Sequence, residues 1–251
     1  MKSKILQVRI REILSLLSTP SMISIRLRLR NSSLVEICSR VGNASSDEIE
    51  RLRESFLLNH RFFQAINEKM VKIRGRRASL EGWPELVYVL SRLVRPKVVI
   101  ETGIFDGIST TAILQSLQDN NQGMLASIDL PAYTVIEGST HKMKETTLPP
   151  GLKPGWVIPD YLNARHRIFL GDSQELLPKV LKELGPVDIF LHDSLHTFDH
   201  QWFEYQTVWP HLKKGGLLLS DDVLWTSAFH KFCKEKDRDY KVFNGFGVVV
   251  K

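Results

Sequence analysis

The chain has 251 residues, of which 43% are hydrophobic and 25% charged, a composition ordinary for a globular protein with a sizeable core. Its two cysteines, Cys38 and Cys233, form no Cys-x-x-Cys pair, which excludes a disulfide framework and a thiolate zinc site. Residues 1–80 hold 16 Lys and Arg against 7 Asp and Glu, whereas the remainder holds 18 against 21. This slightly acidic remainder argues against a nucleic-acid groove there, since phosphate contacts need clustered cations.

No apolar run reaches the ~18–20 residues that a membrane span needs. Pro20 interrupts the apolar stretch 12–25. A secretory signal would have a cleavage site of small residues after such a stretch, but an alternating Arg-Leu run follows at 26–30. We therefore expect a cytoplasmic protein without a signal peptide. Residues 5–17 have the pattern of an amphipathic helix, for which two interpretations stay open: contact with an anionic membrane surface, or a solvated extension.

The first part of the chain is predicted to be a basic, mostly helical extension over residues 1–80. Within it, residues 46–74 have the apolar spacing of a helix, with Ser45 or Ser46 as the N-cap and acids in the first turn. Gly75 ends this pattern, because glycine commonly follows a helix C-terminus. We expect the extension to serve as a lid, a dimer element or a membrane-surface element beside the main domain.

Residues 81–251 are predicted to form the main domain, in which strands and helices alternate after a short apolar helix at 84–94. The pattern predicts strands at 97–102, 124–129, 166–170, 187–192 and 216–220, and helices at 109–118, 173–184, 198–213 and 225–236. Residues 240–250 add two strands around an Asn-Gly hairpin turn. The predicted fold class is a doubly wound α/β sheet, mostly parallel, with an antiparallel C-terminal edge. The proline-rich stretch 131–165 is predicted to be a long loop, either covering a substrate or forming a surface excursion.

The stretch 98–109 is the most informative part of the sequence. An apolar run stops at Glu101, a turn with Gly103 and Gly107 follows, and a helix begins near Ser109. Glycine allows positive φ and a close approach of ligand to backbone, and a helix N-terminus presents unpaired N–H groups. Such a turn cradles nucleotide-like cofactors in doubly wound sheets. The Gly-x-x-x-Gly spacing differs from that of dinucleotide binders, so an ordinary strand–turn–helix corner is the alternative.

Polar residues end the predicted strands, and these ends share one edge of the sheet. The second strand ends at Asp129, whose carboxylate suits a bidentate hydrogen bond to two ribose hydroxyls. Two interpretations stay open for Asp172 and Ser173, which follow the third strand. Either Asp172 contacts an adenine amino group, or Ser173 caps the next helix.

The fourth and fifth strands end in Asp193 and in Asp221-Asp222. Adjacent strands would bring these three carboxylates together, and a bound divalent cation would relieve their repulsion. Oxygen ligands without a nearby cysteine favour Mg²⁺, with Mn²⁺ or Ca²⁺ as alternatives. In the interpretation without a metal, Asp221 or Asp222 caps the turn that follows.

His196 lies three residues after Asp193, where the next helix should begin. A histidine there faces the same cleft, and its ordinary pKa of about 6.5 suits a general base. The alternative is a helix-start residue with local hydrogen bonds. His192 is predicted to point into a neighbouring layer, and Asp199 and His200 are predicted to be solvated.

Together these motifs resemble class I S-adenosylmethionine-dependent methyltransferases. They are most similar to small-molecule O-methyltransferases of the methyltransferase domain 24 type, the macrocin O-methyltransferase and cephalosporin hydroxylase-like group. The resemblance covers about residues 81–251 and implies a Rossmann-like, seven-stranded sheet with S-adenosylmethionine over its carboxyl edge. The residues that it places around this cofactor are Glu101, Gly103, Phe105, Gly107, Ser109, Asp129, Gly171, Asp172 and Ser173.

The resemblance also implies the reactive residues. His196 falls on the position of the base, with Asp193 beside it, and Asp193, Asp221 and Asp222 match the metal positions. Catechol-type enzymes show Asp-Asn where this chain has Asp221-Asp222, which leaves open which of the two is the ligand.

We therefore expect metal-assisted O-methylation of a small-molecule, sugar or glycolipid hydroxyl. The alternatives are an RNA methyltransferase and a non-catalytic S-adenosylmethionine-binding partner protein. No nucleic-acid partner is expected. The basic N-terminus permits peripheral contact with a membrane, and a homo-oligomer is compatible with the extension.

Overall fold

The computed structural model describes residues 31–130 and 148–251. The predictions for residues 5–17 and 26–30, and for 131–147 of the long loop, lie outside the described residues. None of the helices in the described parts is long and apolar enough to cross a membrane.

A single sheet of seven strands, in the order β3-β2-β1-β4-β5-β7-β6, lies at the centre of the fold. The strands are β1 Val98–Thr102, β2 Met124–Asp129, β3 His166–Leu170, β4 Val187–His192, β5 Leu212–Ser220, β6 Tyr240–Phe243 and β7 Phe246–Val250. Strands β1 to β5 pair in parallel, and β7 pairs antiparallel with both β5 and β6. The predicted fold class is confirmed.

The strand order reverses between β1 and β4, which are hydrogen-bonded neighbours although two strands separate them in sequence. In open α/β sheets, ligands bind outside the carboxyl ends of the strands at such a reversal. The segments that follow Thr102 and His192 therefore flank the expected binding crevice.

Helices cover both faces of the sheet. They are α1 Leu34–Gly42, α2 Ser46–Leu57, α3 His60–Arg74, α4 Trp83–Val94, α5 Ile108–Asp119, α6 Ser173–Leu184, α7 Phe198–Val208 and α8 Ala228–Glu235. Side chains alternate across a strand, so Val99 packs in a core cluster with α1 to α5, whereas Ile100 packs in a second cluster with α6 to α8. The division of the chain at residue 80 stays a prediction, but α1 to α3 share the first cluster with the sheet.

The structure corrects two predicted helices. The predicted helix 46–74 is two helices, because Asn59 interrupts it and its side chain accepts a hydrogen bond from the N–H of Phe62 at the start of α3. The predicted helix 198–213 ends at Val208 and continues as a short 3₁₀ turn that contains Pro210. The fifth strand then begins at Leu212 rather than at residue 216, because Leu212 already pairs with β4.

Two further differences concern helix starts. The structure has an additional helix, α1, whose N-cap Ser33 accepts a hydrogen bond from the N–H of Glu36. This serine followed by apolar residues at helical spacing is a local pattern that could have predicted it. The last helix begins at Ala228, three residues later than predicted.

Candidate active site

The glycine turn after β1 lies directly against the end of β4. Gly103 has a φ of +87°, and a Cβ atom added there would collide with the carbonyl oxygen of Asp193. Glycine at this position thus satisfies both the backbone conformation and the close approach of the two strands. The structure thus brings the ends of β1 and β4 together, as the sequence predicts.

This contact yields a test with a matched control. Substitution of Gly103 with Ala should lower the free energy of unfolding by roughly 3 kcal/mol, about 1 from the positive φ and about 2 from the collision. Gly75 also has a positive φ, but nothing lies within 4 Å of its missing Cβ, so Gly75→Ala should cost only about 1 kcal/mol. Urea unfolding of the two variants measures the difference, and equal losses would contradict the close approach.

Asp129 organises the same turn. Its Oδ2 accepts hydrogen bonds from the N–H groups of Ile104 (2.9 Å) and Phe105 (2.8 Å), and its Oδ1 accepts one from Leu130 (2.7 Å). Burial raises the pKa of Asp129, and these backbone bonds only partly offset that effect. A carboxylate has about four acceptor positions, so the backbone already uses most of them. The contact of Asp129 with ribose hydroxyls stays a prediction, beside this structural role.

Glu101, at the end of β1, is fully buried. Its Oε2 accepts hydrogen bonds from the hydroxyls of Thr110 (3.0 Å) and Ser127 (2.8 Å), whereas its Oε1 has no partner among the described residues. Burial raises the pKa of Glu101 to about 8. The carboxyl group therefore holds a proton at neutral pH in the folded chain.

This raised pKa predicts how stability depends on pH. The folded state holds the Glu101 proton up to about pH 8, whereas the unfolded chain releases it near pH 4. Because the folded state binds more protons in this window, the Glu101 contribution makes the free energy of unfolding fall as pH rises from about 4 to 8. Glu101→Gln should flatten that decline in thermal melts from pH 5 to 8. An unchanged slope in the variant would assign the decline to other groups.

Three of the predicted cofactor residues line one cavity of about 320 Å³ together with Asp193: Phe105, Gly107 and Ser109. The segment between α3 and α4 also lines this cavity through Arg76, Ser79 and Glu81, as does Trp83 at the start of α4. Sequence reasoning did not place this segment at the site, because it shares no motif with the strand ends. We call this cavity the cleft.

The structure of the segment after β3 shows which residue caps the helix that follows. Asp172 is the N-cap of α6, and its Oδ1 accepts a hydrogen bond from the N–H of Gln174 (2.8 Å). Ser173 is therefore not the cap, and its hydroxyl instead donates to Glu204 (2.7 Å). Gly171 donates its N–H to the carbonyl oxygen of Asp129, which joins the ends of β2 and β3. Contacts of these three residues with adenine stay predictions.

The reactive residues converge at the ends of β4 and β5. Asp193, His196 and Asp221 each offer a ligand atom, and these atoms lie within 4.8 Å of one another. The Nε2 atom of His196 is 3.9 Å from Oδ1 of Asp193. Asp222 is not part of this group, and its backbone adopts a left-handed conformation with a φ of 51°. The metal roles of Asp193, Asp221 and Asp222 stay predictions, beside this observed grouping of two aspartates and a histidine.

Burial raises the pKa of the acids at this site, and nearby negative charge adds to the effect at Asp193 and Asp222. The pKa of Asp193 is well above its usual value because of burial and the nearby Asp221, Glu101, Asp222 and Asp129. Burial also raises the pKa of Asp221, and burial with the charge of Asp221 raises that of Asp222 to about 7. Such a cluster is unfavourable when fully ionised, and it becomes favourable if a cation binds.

Behind the reactive residues lies a buried carboxylate that sequence reasoning missed. Glu204 of α7 is fully buried, and the groups that hydrogen-bond to it belong to Thr102, Ser173, His192, Ser194 and His200. Burial alone would raise the pKa of Glu204, but the charge and hydrogen bond of His192 and the bond from His200 hold it well below its usual range. This carboxylate ties together the ends of β1 and β4 and the starts of α6 and α7.

Two predictions concern this buried group. His192 ends β4, and its side chain points into the neighbouring helix layer, as predicted, with its Nδ1 2.6 Å from Glu204 of α7. The prediction that His200 is solvated is wrong, since its side chain is 11% exposed and lies 2.9 Å from Glu204. The four-residue spacing places His200 and Glu204 on one helix face, a pattern that could have indicated the pair.

Asp106 forms a second junction that the sequence did not reveal. Its carboxylate accepts two hydrogen bonds from Arg74 of α3 (2.7 and 3.0 Å) and one from the indole N–H of Trp156 (2.7 Å). Trp156, in the stretch predicted to be a long loop, thus holds the end of that stretch onto the glycine turn. The junction fastens α3 beside the cleft.

The strand order, the glycine turn and the acids at the strand ends agree with the Rossmann-like methyltransferase fold that the sequence resemblance implies. Residues 100–223 match the model of a family described as methyltransferase domain, the methyltransferase domain 24 type. This part of the chain is therefore similar to that family.

Named relatives agree with this assignment. Mycinamicin VI 2''-O-methyltransferase of Micromonospora griseorubida is 28% identical over 125 residues, which cover 47% of this chain and 31% of the relative. Demethylmacrocin O-methyltransferase of Streptomyces fradiae is 27% identical over 139 residues, which cover 52% of this chain and 34% of the relative. The matches thus span about a third of the length of these relatives.

A solved structure shares the fold. It belongs to a Staphylococcus aureus protein described as a candidate caffeoyl-CoA O-methyltransferase, with a TM-score of 0.53 and 13% identity. The match covers 80% of this chain and 99% of that one.

Proposed function

We propose that this chain is an S-adenosylmethionine-dependent O-methyltransferase that acts on the hydroxyl of a small molecule, sugar or glycolipid. The observation that carries the proposal is the convergence of Asp193, His196 and Asp221 beside the glycine turn. The family of residues 100–223 and the O-methyltransferase names of the relatives support the same reaction class.

The cleft offers a place for the methionine end of the cofactor. Gly107 caps α5 without a side-chain hydrogen bond to the first turn, so the N–H groups of that turn are left to bind an anion such as a carboxylate. Ser109 and Phe105 line the same cavity. Bound there, S-adenosylmethionine supplies an electrophilic methyl group on a sulfonium. Asp129, which holds the turn in place, lies at the next strand end for the ribose.

His196 is the residue we assign to proton removal. Its imidazole is 12% exposed and lies beside Asp193, which itself lines the cleft. An acceptor hydroxyl in the cleft thus comes within reach of a neutral imidazole, which accepts the proton as the oxygen attacks. Asp193 orients the acceptor and stabilises the imidazolium that results. The walls around Trp83 and Phe105 hold the acceptor in line and limit the access of water.

The donor set also fits a divalent cation. Asp193 and Asp221 supply the oxygen ligands that Mg²⁺ prefers, and burial holds the pKa of both carboxyl groups above the usual value, with nearby acids contributing at Asp193. When bound, such a cation supplies Lewis-acid stabilisation of an alkoxide. A nitrogen that binds a cation cannot accept a proton, so the same atom of His196 serves one role only. We assign the cation to the two aspartates and the proton to His196.

Calorimetry tests the proposal directly. S-adenosylmethionine is titrated into the full chain with and without Mg²⁺, and methyl transfer from labelled cofactor is then screened over fractionated cell extract by mass spectrometry. We expect cofactor binding in both buffers and a methylated product that forms faster with Mg²⁺. Absence of cofactor binding would refute the proposal. A product rate that is the same with EDTA would remove the cation from it.

A further inference from the structure

A second cavity, of about 660 Å³, lies along α3 outside the residues assigned to the reaction. We call it the α3 cavity. Its volume lies within the range of small-molecule sites. Arg77 lines it, and the preceding residue, Arg76, lines the cleft. A ligand that occupies both cavities therefore passes over this turn.

Positive charge without a partner collects at these two cavities. The segment 60–77 contains six Lys and Arg and a single acid. Three of the six cations are engaged: Arg61 lies over the ring of Tyr161, Lys69 donates to the carbonyl oxygen of Ile158, and Arg74 pairs with Asp106. Within residues 31–130 and 148–251, no ion pair forms at the other three, which are Lys72, Arg76 and Arg77.

These three cations are the ones that line a cavity. Lys72 and Arg77 line the α3 cavity, and Arg76 lines the cleft. The acid of the segment, Glu68, also lines the α3 cavity but accepts a hydrogen bond from Gln64 (2.8 Å). Two cations against one engaged carboxylate leave the α3 cavity positive. Its charge is thus complementary to an anion.

The remaining lining residues suit a sugar. Asn67 uses its Oδ1 to accept from the N–H of Ala78 (2.9 Å), which leaves its amide N–H groups as donors for ligand hydroxyls. Phe63 and the half-exposed Val71 give the cavity an apolar wall. Lys and Arg together match a phosphate, which carries close to two negative charges and several acceptor oxygens.

We propose that the α3 cavity binds the phosphorylated part of a saccharide acceptor. The phosphate lies between Lys72 and Arg77, the sugar ring lies on Phe63 and Val71, and a second part of the acceptor reaches Asp193 through the cleft. This inference rests on the proposed function. It narrows the class of methyl acceptor from any compound with a hydroxyl group to an anionic saccharide.

Binding measurements on the full chain test the inference. Glucose 1-phosphate, glucose and inorganic phosphate are each titrated by calorimetry, with and without S-adenosylhomocysteine. We expect glucose 1-phosphate to bind about tenfold tighter than either glucose or phosphate alone, since charge-assisted hydrogen bonds and sugar contacts add. Raising the salt concentration should weaken its binding, because exposed charges are screened.

Two double variants with the same change of net charge locate the site. Lys72→Gln/Arg77→Gln should weaken glucose 1-phosphate about tenfold and leave glucose unchanged. Lys179→Gln/Lys182→Gln removes two exposed cations of α6, on the other face of the sheet, and should leave both affinities unchanged. All four side chains are exposed, so folding should be little affected.

Three results would overturn the inference: equal affinities of the wild type for glucose 1-phosphate and glucose, equal affinities for glucose 1-phosphate and inorganic phosphate, or equal losses in the two double variants. A failure of the proposed function gives a different result, since S-adenosylhomocysteine would then not bind the wild type. Saccharide binding is also measured without S-adenosylhomocysteine. A failure of the inference can therefore be distinguished from a failure of the proposed function.

Discussion

Replacement of Asp193 with Ala should lower the rate of methyl transfer by roughly a thousandfold. Asp193 belongs to the group of three ligand atoms within 4.8 Å, and it also lines the cleft. In the proposed mechanism, Asp193 therefore contacts both the acceptor and the cation. Initial rates of S-adenosylhomocysteine formation, measured with the acceptor from the extract screen, give the effect.

Asp222→Ala is the matched control. Asp222 is a neighbouring acid outside the group, so its loss should slow the reaction by less than about tenfold. Losses of equal size would contradict the grouping of Asp193 with His196 and Asp221. The variant Asp193→Asn serves as a check on folding. Because the pKa of Asp193 is raised, the charge of this carboxylate opposes folding at pH 7. Asp193→Asn should therefore melt at a higher temperature than the wild type.

Substitution of His196 with Ala should reduce kcat by about 10²–10⁴-fold, the usual contribution of a general base. The affinity for S-adenosylmethionine should change by less than about twofold, because none of the cavity lining around Phe105 and Ser109 is altered. Single-turnover rates and calorimetry separate the two quantities. A parallel collapse of cofactor affinity would refute the assignment of His196 as the base.

The same variant decides between the two roles of this histidine. Mn²⁺ binding, followed by electron paramagnetic resonance, should be unchanged in His196→Ala if the two aspartates hold the cation. His211→Ala, at an exposed histidine away from the site, serves as the reference. A loss of Mn²⁺ affinity in His196→Ala alone would make His196 a ligand and leave the base to another residue.

The strand ends are the part of the site that local sequence patterns predict well. The bounds of β2, β3 and β4 agree with the predicted ranges, because each buried strand is a short apolar run that stops at a polar residue. The parallel arrangement then places Asp129, Asp193 and Asp221 at one edge without further information. Gly103 was identified as a turn residue for the same local reason. The local sequence pattern did not predict the contact between Gly103 and Asp193.

The missed features all involve partners distant in sequence. Glu204 lies 102 residues from Thr102, and Asp106 lies 32 from Arg74 and 50 from Trp156. A buried acid looks the same in sequence as a solvated one, so its burial depends on which donors the fold brings to it. The same holds for His196, whose grouping with Asp193 and Asp221 follows from the fold.

The amino-acid sequence by itself determined the alternation of strands and helices, the glycine turn and the acids at one sheet edge, because these follow from local periodicity, backbone freedom and the rule that parallel strands share an edge. Only the tertiary structure decided which acids meet His196, that Glu204 ties four segments together, and that α3 places cations at the cavity beside the cleft. Those outcomes depend on long-range packing, which brings side chains together over distances that no local pattern encodes.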